Sequence, residues 1–554
     1  MNRLKQLTIT VLSLALSMAW AETQIRNIAE IGPNTESIES NGYAQIYYVS
    51  SAASEDGDGS QTSPWKSLTA GMSGLPEASA DRPLAVFVSE GNYGGETLMM
   101  RPFVDLFGGF DSVTWDRDIH VYRSVLDGEG ERRVVFAAND CILDGFTITR
   151  GRTSTHGGGI LCDDASPTIK NCFITENTTL EPENFNHTRI HQDAHHGGGI
   201  AVFFNSAPVI RNNVFFNNRT HIGNGAGVAF YGWIRIKGAP ETSFESNVMV
   251  GGLQAQLKNN VFVNNVAGVT DTNRTRSSNG GAISCAFEAR PVIENNVIAY
   301  NEAKGRGDAG GIYSEYYSYP TVIGNWLVGN IGDDDGGAIY AMRMGHITIS
   351  QNFIAGNWTR GNGVGGIRLS KEGRGLIRDN IIVQNQTGGA LQCVDSYVEY
   401  RNNLVMHNKG KASIKYVNHF PYFQPSIAEN NIIRENEGGL SIDATEGATL
   451  KLIKNNIDAK VKGKRNKNRS ITLIDDARIL KSTSLIFDES RYQSILEIDA
   501  AADISSLVGR IAHINEFWSV ICAVEGNKIY TWGDAQAQYT AGDDIEIISD
   551  YKFK

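Results

Sequence analysis

"GGAISCAFEARPVIENNVIAYN", Gly280 to Asn301, strings together two glycines, a short apolar run, a proline and two asparagines five residues apart. The same order of residues returns many times along the chain. The second asparagine falls at Asn177, Asn218, Asn265, Asn301, Asn330, Asn357, Asn385, Asn408 and Asn436. Five residues earlier stand Asn213, Asn260, Asn296, Asn325, Asn352, Asn380, Asn403 and Asn431, with Cys172 in the first repeat. Pro167, Pro208, Pro291 and Pro320 lie five residues earlier again. From Asn301 onward the spacing is 29, 27, 28, 23 and 28 residues.

A helical repeat of this length needs two stretches of 3.6 periodicity, and the sequence has none. Pieces such as "PVIENNVIAYN" and "HITISQNF" are short, β-branched and alternate with period 2. Three short strands and three turns per repeat make one coil of a parallel β-helix, each coil stacked about 4.8 Å from the last. Asparagines at one place in every coil then form a ladder. Their amides bond up and down the stack, and asparagine accepts a left-handed turn conformation. The glycine pairs permit a sharp corner. Two residues past the isoleucine or leucine of the glycine turn lie Cys162, Cys285 and Cys393, inward like Ile160, Ile283 and Leu391. They read as free core thiols, and six cysteines in 554 residues do not make a disulfide scaffold.

The asparagine ladder and the glycine turns resemble right-handed parallel β-helix proteins of the pectate-lyase-like superfamily. "IYYVSSAASEDGDGSQTSPWKSL" (Ile46 to Leu68), "LFGGFD" (Leu106 to Asp111), "SVLDGEG" (Ser124 to Gly130) and "CILDGFTITRG" (Cys141 to Gly151) are similar to the opening coils of exported bacterial members. The resemblance implies an all-β solenoid over residues 44–455. For activity it leaves lyases, hydrolases, epimerases and non-enzymatic surface proteins open.

Residues 1–21 read as an export signal, with Arg3 and Lys5, the apolar "LTITVLSLALSMA" and an Ala19-Trp20-Ala21 cleavage site. A linker over 22–43 precedes the β-helix. Residues 456–489 lose the ladder and read as an irregular closing segment, and 490–554 as a small antiparallel β-module covering the open end. Within it "SVICAV-EGN-KIYTWG" is a hairpin. The expected product is a secreted or periplasmic monomer, with no stable membrane insertion once the signal is cleaved. The 50 Lys and Arg against 61 Asp and Glu give a net charge of −11, which argues against a nucleic-acid binder, since that should carry a basic face.

Loops before the glycine turn vary in length, which surface segments tolerate and core strands do not. Stacked on one side they would wall an elongated groove suited to a polymer. At their foot a column runs His156, His196, Asn224, Asn279, Asp308, Asp335, Gly363 and Thr387. One reading is turn chemistry, since Asn and Asp bond their own backbone. The other pairs Asp308 with Asp335 one strand spacing apart, with Asp333 and Asp334 beside them, as a calcium site or a hydrolytic acid pair. His187, His191, His195 and His196, above His156, form a dense cluster that could bind a transition metal or be an exposed loop. "DGDG" (Asp56 to Gly59) reads as a turn, with calcium as the alternative.

One residue past the turn isoleucine or leucine lie Tyr313, Tyr340, Arg368 and Gln392, expected to point outward. Four residues past it lie Tyr316, Arg343, Lys371 and Asp395, with Glu315 and His346 close. Aromatic rings bind sugar faces, and Arg or Lys can neutralise a uronate carboxylate or remove its acidified C5 proton. The resulting expectation is cleavage of an acidic polysaccharide by β-elimination. Arg343, Lys371 and Tyr313 would be catalytic, with Tyr316, Tyr340, Arg368 and Glu315 binding substrate. The alternatives are a glycan-binding or envelope and adhesion protein, or an Asp308/Asp335 glycoside hydrolase.

Overall fold

The computed structural model describes residues 28–181, 194–235, 247–249, 254–269, 278–419, 425–438, 440–445, 450–457, 460–462, 473–474, 478–499, 503–549 and 552–553. The predicted export signal and His187 and His191 lie outside the described residues. Among these residues no helix is long and apolar enough to cross a membrane.

Residues Ile31–Asn466 form one compact unit. It is a parallel β-helix. Sheet 1 stacks 14 described strands from Gln45–Val49 to Leu450–Ile453; sheet 2 stacks 13 from Gly91–Tyr93 to Asn456–Ile457. Sheet 4, which holds the strands after the glycine turns, also has 13, from Leu98–Met99 to Lys460–Lys462. These are the three strands expected per coil. A fourth, sheet 3, adds seven two-residue strands from Arg152–Thr153 to Trp358–Thr359, just past the second asparagine. Two residues are too short to show a period, so sequence pattern did not reveal it.

Alternation sorts the side chains. On sheet 4, Ile283 and Cys285 face the core while Ser284 faces out; in register above them lie Ile312 and Ile339. Cys162, Cys285 and Cys393 are buried free thiols, as the period demanded. Burial pushes the Cys393 thiol up to about 12.

Both asparagine columns are hydrogen-bonded ladders at the two ends of sheet 2. Asn301 shows the unit. Its Oδ1 accepts from the backbone N–H and the Nδ2 of Asn265, at 3.0 and 2.9 Å. Its Nδ2 donates to Asn330 Oδ1 and to the Phe262 carbonyl, both at 3.0 Å. The first column starts at Cys172, whose N–H donates to Asn213, and continues past Asn431 to Asn455. One detail differs from expectation. The left-handed residue is the one before each ladder asparagine, such as Asn212, Asn217, Asn259 and Asn264. The ladder asparagine keeps ordinary φ, so that its amide can lie along the stack.

The final coil reaches Lys462, so the closing segment is not irregular from 456 onward. Residues 31–36, within the expected linker, run across several coils instead of hanging free. Gly32 donates to Asn259 O, Asn34 to Asn171 Oδ1, and the Glu36 carbonyl accepts from Arg117. The Glu36 carboxylate meets Lys170 at 2.6 Å and Arg211 at 2.7 Å. The Asp56–Gly59 stretch is a turn: Asp56 accepts from Lys66 N and Asp58 from Ser60 N. A Cβ on Gly59 would strike the Trp65 ring at 2.7 Å.

Residues Lys467–Lys554, with the chain before Ile31, form the second unit. Its centre is a closed six-stranded antiparallel barrel. The barrel begins at Arg478–Asp488, earlier than the expected residue 490, because this 11-residue strand pairs on both sides. The predicted hairpin is Phe517–Glu525 with Lys528–Trp532.

Candidate functional site

The column at the foot of the loops is a third ladder. His156 Nδ1 accepts from His196 N, His196 Nδ1 from Asn224 N, and Asn224 Oδ1 from Asn279 N. Asn279 Oδ1 then accepts from Asp308 N at 2.8 Å, and Asp308 Oδ1 from Asp335 N at 3.1 Å. Each side chain thus satisfies the backbone of the next coil. Asp308 and Asp335 are stacked as predicted, but their contact is this turn bond. Burial first, then Asp335 and Asp334, raise the Asp308 carboxyl well above the usual range. Burial also raises Asp335, while Arg368, at 2.7 Å, opposes the rise. Asp333 pairs with Arg360 at 2.8 Å.

Among the described residues no three His, Cys, Asp or Glu side chains are grouped to hold a metal ion. His156 and His196 stack at 5.4 Å, and His196 Nδ1 also meets the Tyr231 hydroxyl at 3.0 Å. Burial, then the His195 and Arg133 charges, hold His156 down at about 3, a neutral acceptor at ordinary pH.

Tyr313 and Tyr340 point to the outer side of sheet 4, yet they are only 1% and 2% exposed. They pack with Ala309 and Met342 under the aspartate turns. Tyr313 donates to Glu315 Oε2 at 2.9 Å, and the Tyr340 hydroxyl bonds Ser370 Oγ at 2.6 Å. Arg368 bonds Gln392 at 2.6 Å as well as Asp335. These residues form a floor, and cannot be the open sugar platform that alternation alone suggested. Alternation gives direction; it does not show what the neighbouring loop covers.

The other predicted set does reach the surface. Tyr316, Arg343, Lys371 and Asp395 occupy the first position of the turn from sheet 4 to sheet 1 on successive coils. Backbone bonds fix the register at three of its steps: Glu288 N to Tyr316 O, Met344 N to Lys371 O, and Glu372 N to Asp395 O. Phe287 precedes them in the same column. Its place is readable from the sequence, four residues past Ile283, and its ring is buried, 4% exposed. Phe287 and Tyr316 stack at 4.8 Å with 6° between planes. The Arg343 guanidinium lies 4.9 Å over the Tyr316 ring and bonds the fully buried Glu315 at 2.9 Å. Burial works against the charge on Arg343, but Glu315 together with Tyr313 and Tyr316 outweighs it and raises the guanidinium's pKa. Lys371 is exposed.

This turn is unusual in backbone as well. Phe287-Glu288, Tyr316-Tyr317, Arg343-Met344 and Lys371-Glu372 are four consecutive pairs with positive φ, between 45° and 65°, and none is glycine. Such pairs ordinarily call for Asn-Gly. Strain of this kind, on the order of 1–3 kcal/mol per residue, persists where the surrounding structure over-determines the conformation.

The family description "Right handed beta helix region" matches residues 259–424. Together with the stacked parallel sheets, this makes the chain a right-handed parallel β-helix protein. Two solved structures are similar over their length. "The complex structure of XylC with xylose" is 10% identical, covering 90% of this chain and 100% of that one, at a TM-score of 0.37. The tailspike protein of Acinetobacter phage vB_ApiP_P1 is 10% identical, covering 93% and 89%, at a TM-score of 0.21. No curated protein matches the sequence. Similarity at this level says nothing of this chain's own ligand.

Proposed function

We propose that the chain is an exported glycan-binding β-helix protein whose target is an acidic polysaccharide. The observation that carries the reading is the strained column Phe287, Tyr316, Arg343 and Lys371 on consecutive coils. It sets the half-buried Tyr316 ring, packed on the buried Phe287, beside two cations at the strand spacing of about 4.8 Å. Aromatic rings take sugar faces, and the cations take carboxylates.

β-Elimination is the second reading, and one observation favours a particular division of labour. Arg343 is held in an ion pair with Glu315 at 2.9 Å, so it suits carboxylate neutralisation better than proton removal. Lys371, exposed on the next coil, is then the group to remove the C5 proton. Tyr313 is enclosed and leaves the catalytic set. The Asp308/Asp335 hydrolase reading weakens, because Asp308 is spent on a turn bond and Asp335 on Arg368.

Affinity electrophoresis through gels carrying uronate polymers tests the binding. The wild type should be retarded, and Arg343→Ala and Lys371→Ala should each weaken retention about tenfold. Retention that neither change affects would refute the assignment. Absorbance of an unsaturated uronate product, lost in Lys371→Ala, would establish elimination. New reducing ends without that absorbance would restore the aspartate pair.

A further inference from the structure

The turn from sheet 4 to sheet 1 has a second edge. Three residues after Phe287, Tyr316, Arg343 and Lys371 come Arg290, Tyr319, His346 and Arg374; two after Asp395 comes Tyr397. They too stand in one column. Tyr319 N donates to Ala289 O, His346 N to Ser318 O, Arg374 N to Gly345 O, and Tyr397 N to Gly373 O. His346, Arg374 and Tyr397 are direct partners in sheet 1. The constant length of the turn over four coils keeps the two columns parallel.

The second column repeats the chemistry of the first. Arg290 lies 4.8 Å over the Tyr319 ring, and Tyr319 meets His346 edge-on at 5.1 Å. Arg290 and Arg374 are exposed; Tyr319, His346 and Tyr397 are half-buried, with rings held by their neighbours. Between the columns the turn tips carry Glu288, Tyr317, Met344 and Glu372. Five coils span four steps of about 4.8 Å, roughly 19 Å along the axis.

We infer that this corner is a two-rail platform for one linear acidic glycan lying parallel to the helix axis. The first rail is Tyr316, Arg343 and Lys371; the second is Arg290, Tyr319, His346, Arg374 and Tyr397. The polymer straddles the turn tips, and each rail holds one side of it. The four cations stand among the tip carboxylates Glu288, 3.8 Å from Arg290, and Glu372, with Asp395 ending the first column; this mixture selects a polymer whose carboxylates are spaced along the chain. A dense polyanion would meet Glu288 and Glu372 at every register. The inference rests on the acidic-glycan reading and adds a surface on sheet 1 that the reading does not require.

The test is the same electrophoresis with the full chain, comparing a uronate polymer with a neutral glucan. Arg290→Ala/Arg374→Ala and Tyr319→Ala should each weaken uronate retention about tenfold. Arg219→Ala, an exposed arginine on sheet 3, should leave it unchanged. If Arg343→Ala and Lys371→Ala lose binding while the second-rail variants match the wild type, the second rail is overturned and the first reading stands. Loss in the second-rail variants alone supports the rail and overturns the roles of Arg343 and Lys371. Equal retention on neutral glucan overturns the acidic class, and no wild-type retention on either polymer overturns both. Unchanged melting temperatures in the exposed arginine variants would confirm that a loss of binding is not unfolding.

Discussion

Asp308 shows what a residue type can and cannot say. Its place in a column was legible from the sequence, and so was its partner Asp335. Its task was not, because a turn acceptor and a metal ligand draw on the same side chain. The structure shows the turn acceptor's part, in the bond from Asp335 N. Asparagine at 224 and 279 does the same work without a charge. Asp308 has its folded pKa raised above the ordinary 3.8. The acid form's stabilisation is therefore fully present below that value and is lost as pH rises through the folded one. Asp308→Asn should thus gain stability over the wild type as pH increases, with little difference at pH near 3. Thermal melts across that range would show it, and a constant difference would contradict it. Calcium added at the alkaline end asks whether the aspartates take a cation. A rise in melting temperature that Asp335→Asn abolishes would say that they do.

At the scale of the element, strands and the glycine turns were readable, and the turn after sheet 4 was not. Period 2 placed Ile283, Cys285 and Leu391 correctly because a buried face tolerates little else. The turn after sheet 4 gave no such signal. Tyr-Tyr, Arg-Met and Lys-Glu are not turn residues by composition, so their left-handed backbone was invisible in sequence. The consequence is measurable at Lys371, which is exposed with φ 50°. A left-handed L-residue costs about 1–2 kcal/mol, which glycine avoids. Lys371→Gly should therefore be about 1 kcal/mol more stable than Lys371→Ala in denaturant melts, although both lose the ammonium group. Equal stabilities would mean that the turn relaxes when lysine is removed.

For the whole molecule, the solenoid was legible because a repeat states its own period many times. What lies between repeats was not. The strap of residues 31–36 has no periodicity, yet Glu36 joins Lys170 and Arg211 from two coils. Hydrogen bonding from Arg211 first, opposed by partial burial, and then Lys170 lower its pKa from 4.5 to about 2. A depressed value means that the stabilisation is present above 4.5 and lost as pH falls toward 2. Allowing for the carboxylate's exposure, Glu36→Gln should cost roughly 1–2 kcal/mol at neutral pH and nearly nothing near pH 2. Proteolysis after residue 36 under native conditions should follow the same profile, with faster cleavage at acid pH in the wild type.

The asparagine ladders also have a direction. Every amide oxygen faces the coil made earlier in the chain, while each Nδ2 gives one hydrogen to that earlier coil's backbone and the other to the coil made later. A partly assembled stack therefore ends, on each ladder, in two waiting donors: a backbone N–H and one N–H of the amide. The next coil brings the single oxygen that accepts from both. Coils can then be added in the order in which the chain is delivered, each newcomer finding a finished template behind it. A chain threaded amino-terminus first would crystallise onto itself, one rung at a time.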